Sequence, residues 1–161
     1  MGTGQMLITL GAMVLLSLVI LRVTNGFLNT NSVLMETKFG VLGVSIATSV
    51  MEEAMGKAFD ENTADSGTAY VLSDLSSIGP DSEVYPAFDD FDDFDGFTRT
   101  ISDMPSATFD IVCRVGYINP NNPEVISGSK TWHKKLTVQV STPYSRDTIE
   151  MSTVYSYFYY R

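Results

Sequence analysis

The chain has 161 residues and a formal net charge of −9, enough for one domain with an added element but not for two full-sized domains. Its charge is segregated: residues 1–57 carry three acids (Glu36, Glu52, Glu53) and three bases (Arg22, Lys38, Lys57), while the rest carries sixteen acids against seven bases. An acidic second part repels nucleic acid and anionic lipid alike, which argues against nucleic-acid binding, and the single cysteine, Cys113, leaves no internal disulfide to form.

No charged side chain occurs before Arg22, and Met6–Leu21 is apolar apart from Thr9 and Ser17. A membrane-spanning helix needs about 20 predominantly apolar residues, and Thr3–Leu21 comes close to that. A cleavable signal would have a basic start and a small-residue cleavage site. Neither is found around this segment, so it reads as one that stays with the protein. The helical pattern then continues. Leu28, Met35, Phe39, Leu42, Ile46, Val50, Ala54 and Ala58 recur mostly at spacings of three, four or seven, the stripe of an amphipathic helix. Gly26, Gly40 and Gly43 mark bends or close approaches, with a break near Asn25-Gly26 as the alternative to a continuous helix. The turn-forming run Phe59–Gly67 ends the pattern. Such a helix would be on the order of 80 Å long at 1.5 Å per residue, too long for a head of roughly 100 residues to cover.

Residues 60–107 are polar and rich in loops. Phe88-Asp-Asp-Phe-Asp-Asp-Phe-Asp-Gly96 repeats with period three. Clustered carboxylates suggest calcium, with Asp92, Asp93 and Asp95 as candidate ligands, but the first ligand position of an EF-type loop fails. The competing reading puts Phe88, Phe91, Phe94 and Phe97 on one side of a short turn, pinned to the core, while the aspartates face water. From residue 97 the period becomes two. Thr108–Ile118, Trp132–Ser141 and Thr148–Phe158 read as strands, with Phe97–Ser102 as a short edge strand and Asn119–Pro123 as a turn opening a Ser- and Gly-rich connection. Short connections make this an antiparallel meander with one face to bury, and the second part of the helix supplies the matching apolar surface. The expected class is α+β, divided into a helix over residues 1–59 and an acidic, β-rich head over residues 60–161.

Cys113 falls within an alternating apolar run and reads as a buried structural thiol. His133 is the only histidine, and no nucleophile elbow, phosphate loop or Cys/His metal spacing accompanies it; no enzyme is expected. Tyr155, Tyr157, Tyr159 and Tyr160 read as one strand face, or as a surface for a neighbouring subunit.

The helix over residues 1–59, more loosely the meander, and the segments Phe88–Phe97 and Lys134-Lys-Leu-Thr-Val-Gln-Val140 resemble the type IV pilins and pilin-like proteins. That resemblance implies an apolar helix half that anchors in the inner membrane before assembly and forms the filament core afterwards, with the head coating an extracellular filament at the cell surface. It also implies a homo-oligomeric helical polymer, contact with a pilus assembly machinery, and no cofactor. The implied assembly residues are Met1, Gln5, Leu7, Leu10, Val14, Leu18, Leu21 and Arg22. Two positions depart from the family pattern. Gln5, counted from Met1, stands where the family has a glutamate that pairs with a neighbour's N-terminal amine, and Arg22 replaces a helix-kinking proline. The alternative is a non-polymerising, membrane-anchored minor pilin or pseudopilin whose acidic head binds a ligand or calcium.

Overall fold

The computed structural model describes residues 2–64, 67–105 and 107–158. Helix α1 runs without interruption over Thr3–Met55, so there is no break at Asn25-Gly26. It ends four residues before Phe59. Gly56 still donates its N–H to the Glu52 carbonyl (3.1 Å), but Ala58 has already left the helix to bridge Asp90. That exchange of helical for extended pairing carries Phe59 into the core.

The chain divides into two compact units, Met1–Lys38 and Phe39–Arg161. The division falls within α1 and not at residue 59, because the helix from Phe39 onward belongs to the core of the sheet. In the first unit no described residue is buried. Its hydroxyls close on the helix's own carbonyls: Thr9 on Met6 (2.9 Å), Ser17 on Met13 (2.9 Å), Thr30 on Gly26 (2.9 Å), Ser32 on Leu28 (3.1 Å) and Thr37 on Val33 (2.8 Å). Each of these five hydroxyls is thereby satisfied without water.

The second unit is built on five antiparallel strands: β1 (Thr98–Ile101), β2 (Phe109–Asn119), β3 (Asn122–Ile126), β4 (His133–Ser141) and β5 (Ile149–Ser156). The sheet order is β1-β2-β4-β5, with β3 folded back on the end of β2. All four expected strands are present within a residue or two of their expected limits. The fifth, β3, occupies the segment expected to be a connection. Its five residues are all exposed, so no alternation of burial betrays it, and Pro123 is tolerated because β3 is an edge. The Ile126 side chain covers Gly116, where a Cβ would come within 2.6 Å of it.

One face of the sheet carries Phe109, Ile111, Cys113, Val115 and Tyr117 from β2 and Leu136, Val138 and Val140 from β4, all buried. The α1 residues from Phe39 to Met55 cover it through Phe39, Gly43, Ile46, Ala47 and Ala54. Small residues let the helix approach the sheet: a Cβ on Gly43 would overlap Ile149 Cδ1. Of the expected stripe, Leu28 and Met35 stay exposed and only the members from Phe39 onward are covered.

Candidate functional site

Two features stand out: an uncovered apolar helix and a buried charged cluster. On the helix, Leu7, Leu10, Val14, Leu18 and Leu21 lie at helical spacing and are 71%, 59%, 55%, 53% and 60% exposed. Gln5 and Arg22 are exposed on the same helix. Met1 lies outside the described residues. The segment is long and apolar enough to cross a membrane by length and composition.

The charged cluster was not foreseen. The period-three repeat does bury Phe88, Phe91 and Phe94. Phe88 packs edge-on against Phe94 (5.2 Å) and Phe97 (5.6 Å), and Phe91 against Tyr155 (5.2 Å). The aspartates between them do not all face water, however: Asp90, Asp92 and Asp93 are buried, and so is Asp60 from the turn after α1. Asp90 Oδ1 accepts the N–H groups of Asp92 (2.8 Å) and Asp93 (3.0 Å), and Asp93 Oδ2 accepts those of Asp89 (3.0 Å) and Asp90 (3.1 Å). These side chains tie a tight turn, a short 3-10 helix over Asp92–Phe94, to itself.

Asp92 instead turns inward to Lys134, which is fully buried on β4. The Lys134 ammonium donates to Asp92 Oδ1, to Asp60 Oδ1 (2.8 Å) and to the Phe59 carbonyl (2.8 Å). It lies 4.6 Å from the centre of the Phe59 ring and 5.4 Å from that of Tyr117. Asp60 is well supplied: Ser76 N–H reaches Oδ2 (2.8 Å), Ser76 Oγ reaches Oδ1 (3.2 Å), and Asn62 N–H lies 3.4 Å from Oδ2. Asp92 is not. Among the described residues, Asp92 Oδ2 and the Tyr117 hydroxyl are the buried side-chain polar atoms with no hydrogen-bond partner.

One cation among four buried acids is an imbalance with a measurable cost. Burial, then the neighbouring Asp92 charge, push Asp90 up to about 8 against the pull of Lys134. Burial also raises Asp92, again against Lys134, and burial followed by the charges of Asp60, Asp92 and Asp90 raises the Tyr117 phenol. At neutral pH the cluster therefore holds a proton on Asp90.

The three calcium candidates do not converge. Asp92 faces Lys134, Asp93 caps the turn, and Asp95 Oδ1 accepts the Val115 N–H (2.8 Å), extending the β1–β2 ladder. The carboxylates that do gather are Glu83, Asp89 and Asp93, with oxygens within 4.8 Å of one another. Burial, then the charges of Asp89 and Asp93, raise Glu83.

Cys113 is buried, and burial pushes its thiol up to about 12, so it stays protonated. His133 Nδ1 lies 2.7 Å from Ser156 Oγ across the β4–β5 pair. Tyr155 and Tyr157 are buried against Phe59 and are not surface groups; Tyr159 and Tyr160 lie outside the described residues. The signal for the cluster was present in the strand pattern. Lys134 is in phase with Leu136, Val138 and Val140, so period two alone places it on the inner face, where a cation requires an acid partner. Comparison with protein-family models, with curated proteins and with solved structures finds no match.

Proposed function

We propose that the chain is a structural subunit of a type IV pilus-like extracellular filament, held in the membrane by the apolar part of α1 before assembly and polymerising through that same part. The observation that carries this reading is the state of residues 3–38: uncovered on every side, strongly apolar over Met6–Leu21, and with hydroxyls bonded to the helix's own carbonyls. Water is a poor solvent for such a surface. A bilayer suits it, and so does a bundle of identical helices in which Leu7, Leu10, Val14, Leu18 and Leu21 pack against neighbours. The acidic second unit, which bears the net charge, stays in water in both states and keeps neighbouring subunits soluble.

Negative-stain microscopy of material sheared from the cell surface tests this reading, with the protein identified in the filaments by mass spectrometry. Recovery only from detergent-extracted membranes would sink it in favour of a non-polymerising anchored module. Gln5 can donate and accept hydrogen bonds but carries no charge. If it sets axial register, Gln5→Ala lowers filament yield at unchanged expression; unaltered filaments would assign register to packing alone.

A further inference from the structure

We propose that Lys134 and Asp92 are joined covalently: the side chains condense within the folded second unit to an amide that links Lys134 Nζ on β4 to Asp92 Cγ in the loop segment. The proposal is independent of whether the chain polymerises.

Three observations on the cluster lead there. The amine and the carboxyl are in direct contact, both side chains have no exposed surface, and aromatic rings line the site. Contact in a fixed geometry is worth effective concentrations of about 10⁵–10⁸ M in intramolecular reactions. The second is the dry setting: neither side chain has exposed surface, and Asp60, the other carboxylate on Nζ, is placed to take a proton from it and leave the amine that amide formation needs. The third is the orphaned oxygen. An ion pair leaves Asp92 Oδ2 buried without a donor, whereas condensation removes one carboxyl oxygen and both charges. The product is a neutral amide suited to an anhydrous site.

The neighbouring acids supply the proton transfers. Asp60 Oδ1 sits 2.8 Å from Nζ and is held as an acceptor by Ser76 and Asn62, so it takes protons from the attacking nitrogen. Asp90 is the adjacent acid, with its Oδ1 on the Asp92 N–H (2.8 Å). It keeps its proton at neutral pH and delivers it to the departing oxygen. Counted from the ion pair, the Nζ–Cγ bond forms, the Cγ–Oδ2 bond breaks, the nitrogen loses two protons, and the oxygen leaves with two as water. No oxidant, reductant or co-reactant is required.

The consequence for the fold is a covalent tie in a protein with no disulfide. The link joins the Asp92–Phe94 turn to the middle of the sheet and closes the chain between residues 92 and 134, restricting the unfolded state as a disulfide would.

Intact-mass measurement of the purified full chain in detergent tests the proposal. The expected mass is lower than that of the sequence by one water, and a tryptic digest yields a branched peptide joining Asp92 to Lys134 with no cleavage after Lys134. Lys134→Arg restores the full mass of that variant, and Asp92→Asn replaces the loss of water by a loss of ammonia. Asp60→Ala leaves a larger uncrosslinked fraction. A wild-type chain at full sequence mass would overturn the proposal without any variant having to fold. So would a water loss that persists in Lys134→Arg, since that places the dehydration elsewhere, for example as an imide at Asp95-Gly96.

Discussion

The two parts of α1 are made of similar residues and meet different fates. From Thr3 to Lys38 the helix has no buried residue, although it contains the most apolar stretch of the chain, Met6–Leu21; from Phe39 to Met55 it buries Phe39, Gly43, Ile46, Ala47 and Ala54 against the sheet. Apolar content therefore does not decide what is covered within the chain. Shape does: the covered part presents glycine and alanine where the sheet approaches, flanked by larger groups that fill the space beside them. The uncovered part presents leucine, valine and isoleucine nearly all round over Met6–Leu21, which suits a medium or a bundle rather than one flat partner.

This contrast can be broken from either side. The largest effect belongs to the second unit. Lys134→Ala leaves the buried Asp60 and Asp92 carboxylates without a cation and the Asp92–Phe94 turn without its tie to β4, which costs at least about 3–5 kcal/mol of stability; chemical denaturation followed by tryptophan fluorescence reads the loss, while membrane partitioning stays unchanged. The converse variant is Val14→Asp, which places a carboxylate in the apolar segment at a cost of about 3 kcal/mol for residence in a bilayer. On the proposed function it moves the protein out of the membrane fraction and abolishes filaments, while the denaturation midpoint of the second unit stays put. Coupled losses in both measurements would mean that the two parts are not energetically separate.

Gly43→Val probes the covered part alone. Its side chain would overlap Ile149, and overpacking of this kind costs about 1–3 kcal/mol, read as a lower melting temperature with normal membrane partitioning. The smallest effect concerns pH. Asp90 is raised in the fold to about 8 from the ordinary aspartate value of 3.8, so the native state binds a proton that the unfolded chain releases. Its contribution is fully present below pH 3.8, declines as pH rises, and is lost once pH passes about 8. Asp90→Asn removes that dependence, and its stability profile between pH 6 and 9 is flatter than that of the wild type.

The sequence conveyed the long helix, the three long strands with clear alternation and the aromatic anchor of the period-three repeat, because each rests on a single local periodicity. It did not convey β3, whose residues bury nothing, or the point at which the helix begins to be covered, since Leu28 and Met35 share the spacing of Phe39 and Ile46. The aspartate repeat misled for a physical reason. Composition marks aspartate as solvent-facing, but Asp90 and Asp93 spend their oxygens on the backbone of their own turn, and Asp92 is drawn inward by a lysine 42 residues away. The lysine was the legible half of that pair, in phase with Leu136 and Val138. Its partner could be found only once the chain had folded.

The stretch between α1 and β1 has little regular structure, the kind of segment that proteases usually nick first. Yet between Lys57 and Arg99 it contains no lysine or arginine. Enzymes that cut after basic residues find no site there, and Lys57 itself donates to the Phe88 carbonyl (2.6 Å) at the base of the segment. The most irregular region of the chain is thus spelled in letters that trypsin-like enzymes do not read, which would suit the proposed place at a cell surface. Limited digestion with trypsin should leave residues 58–98 in one piece, while an enzyme that cuts after acids should open them.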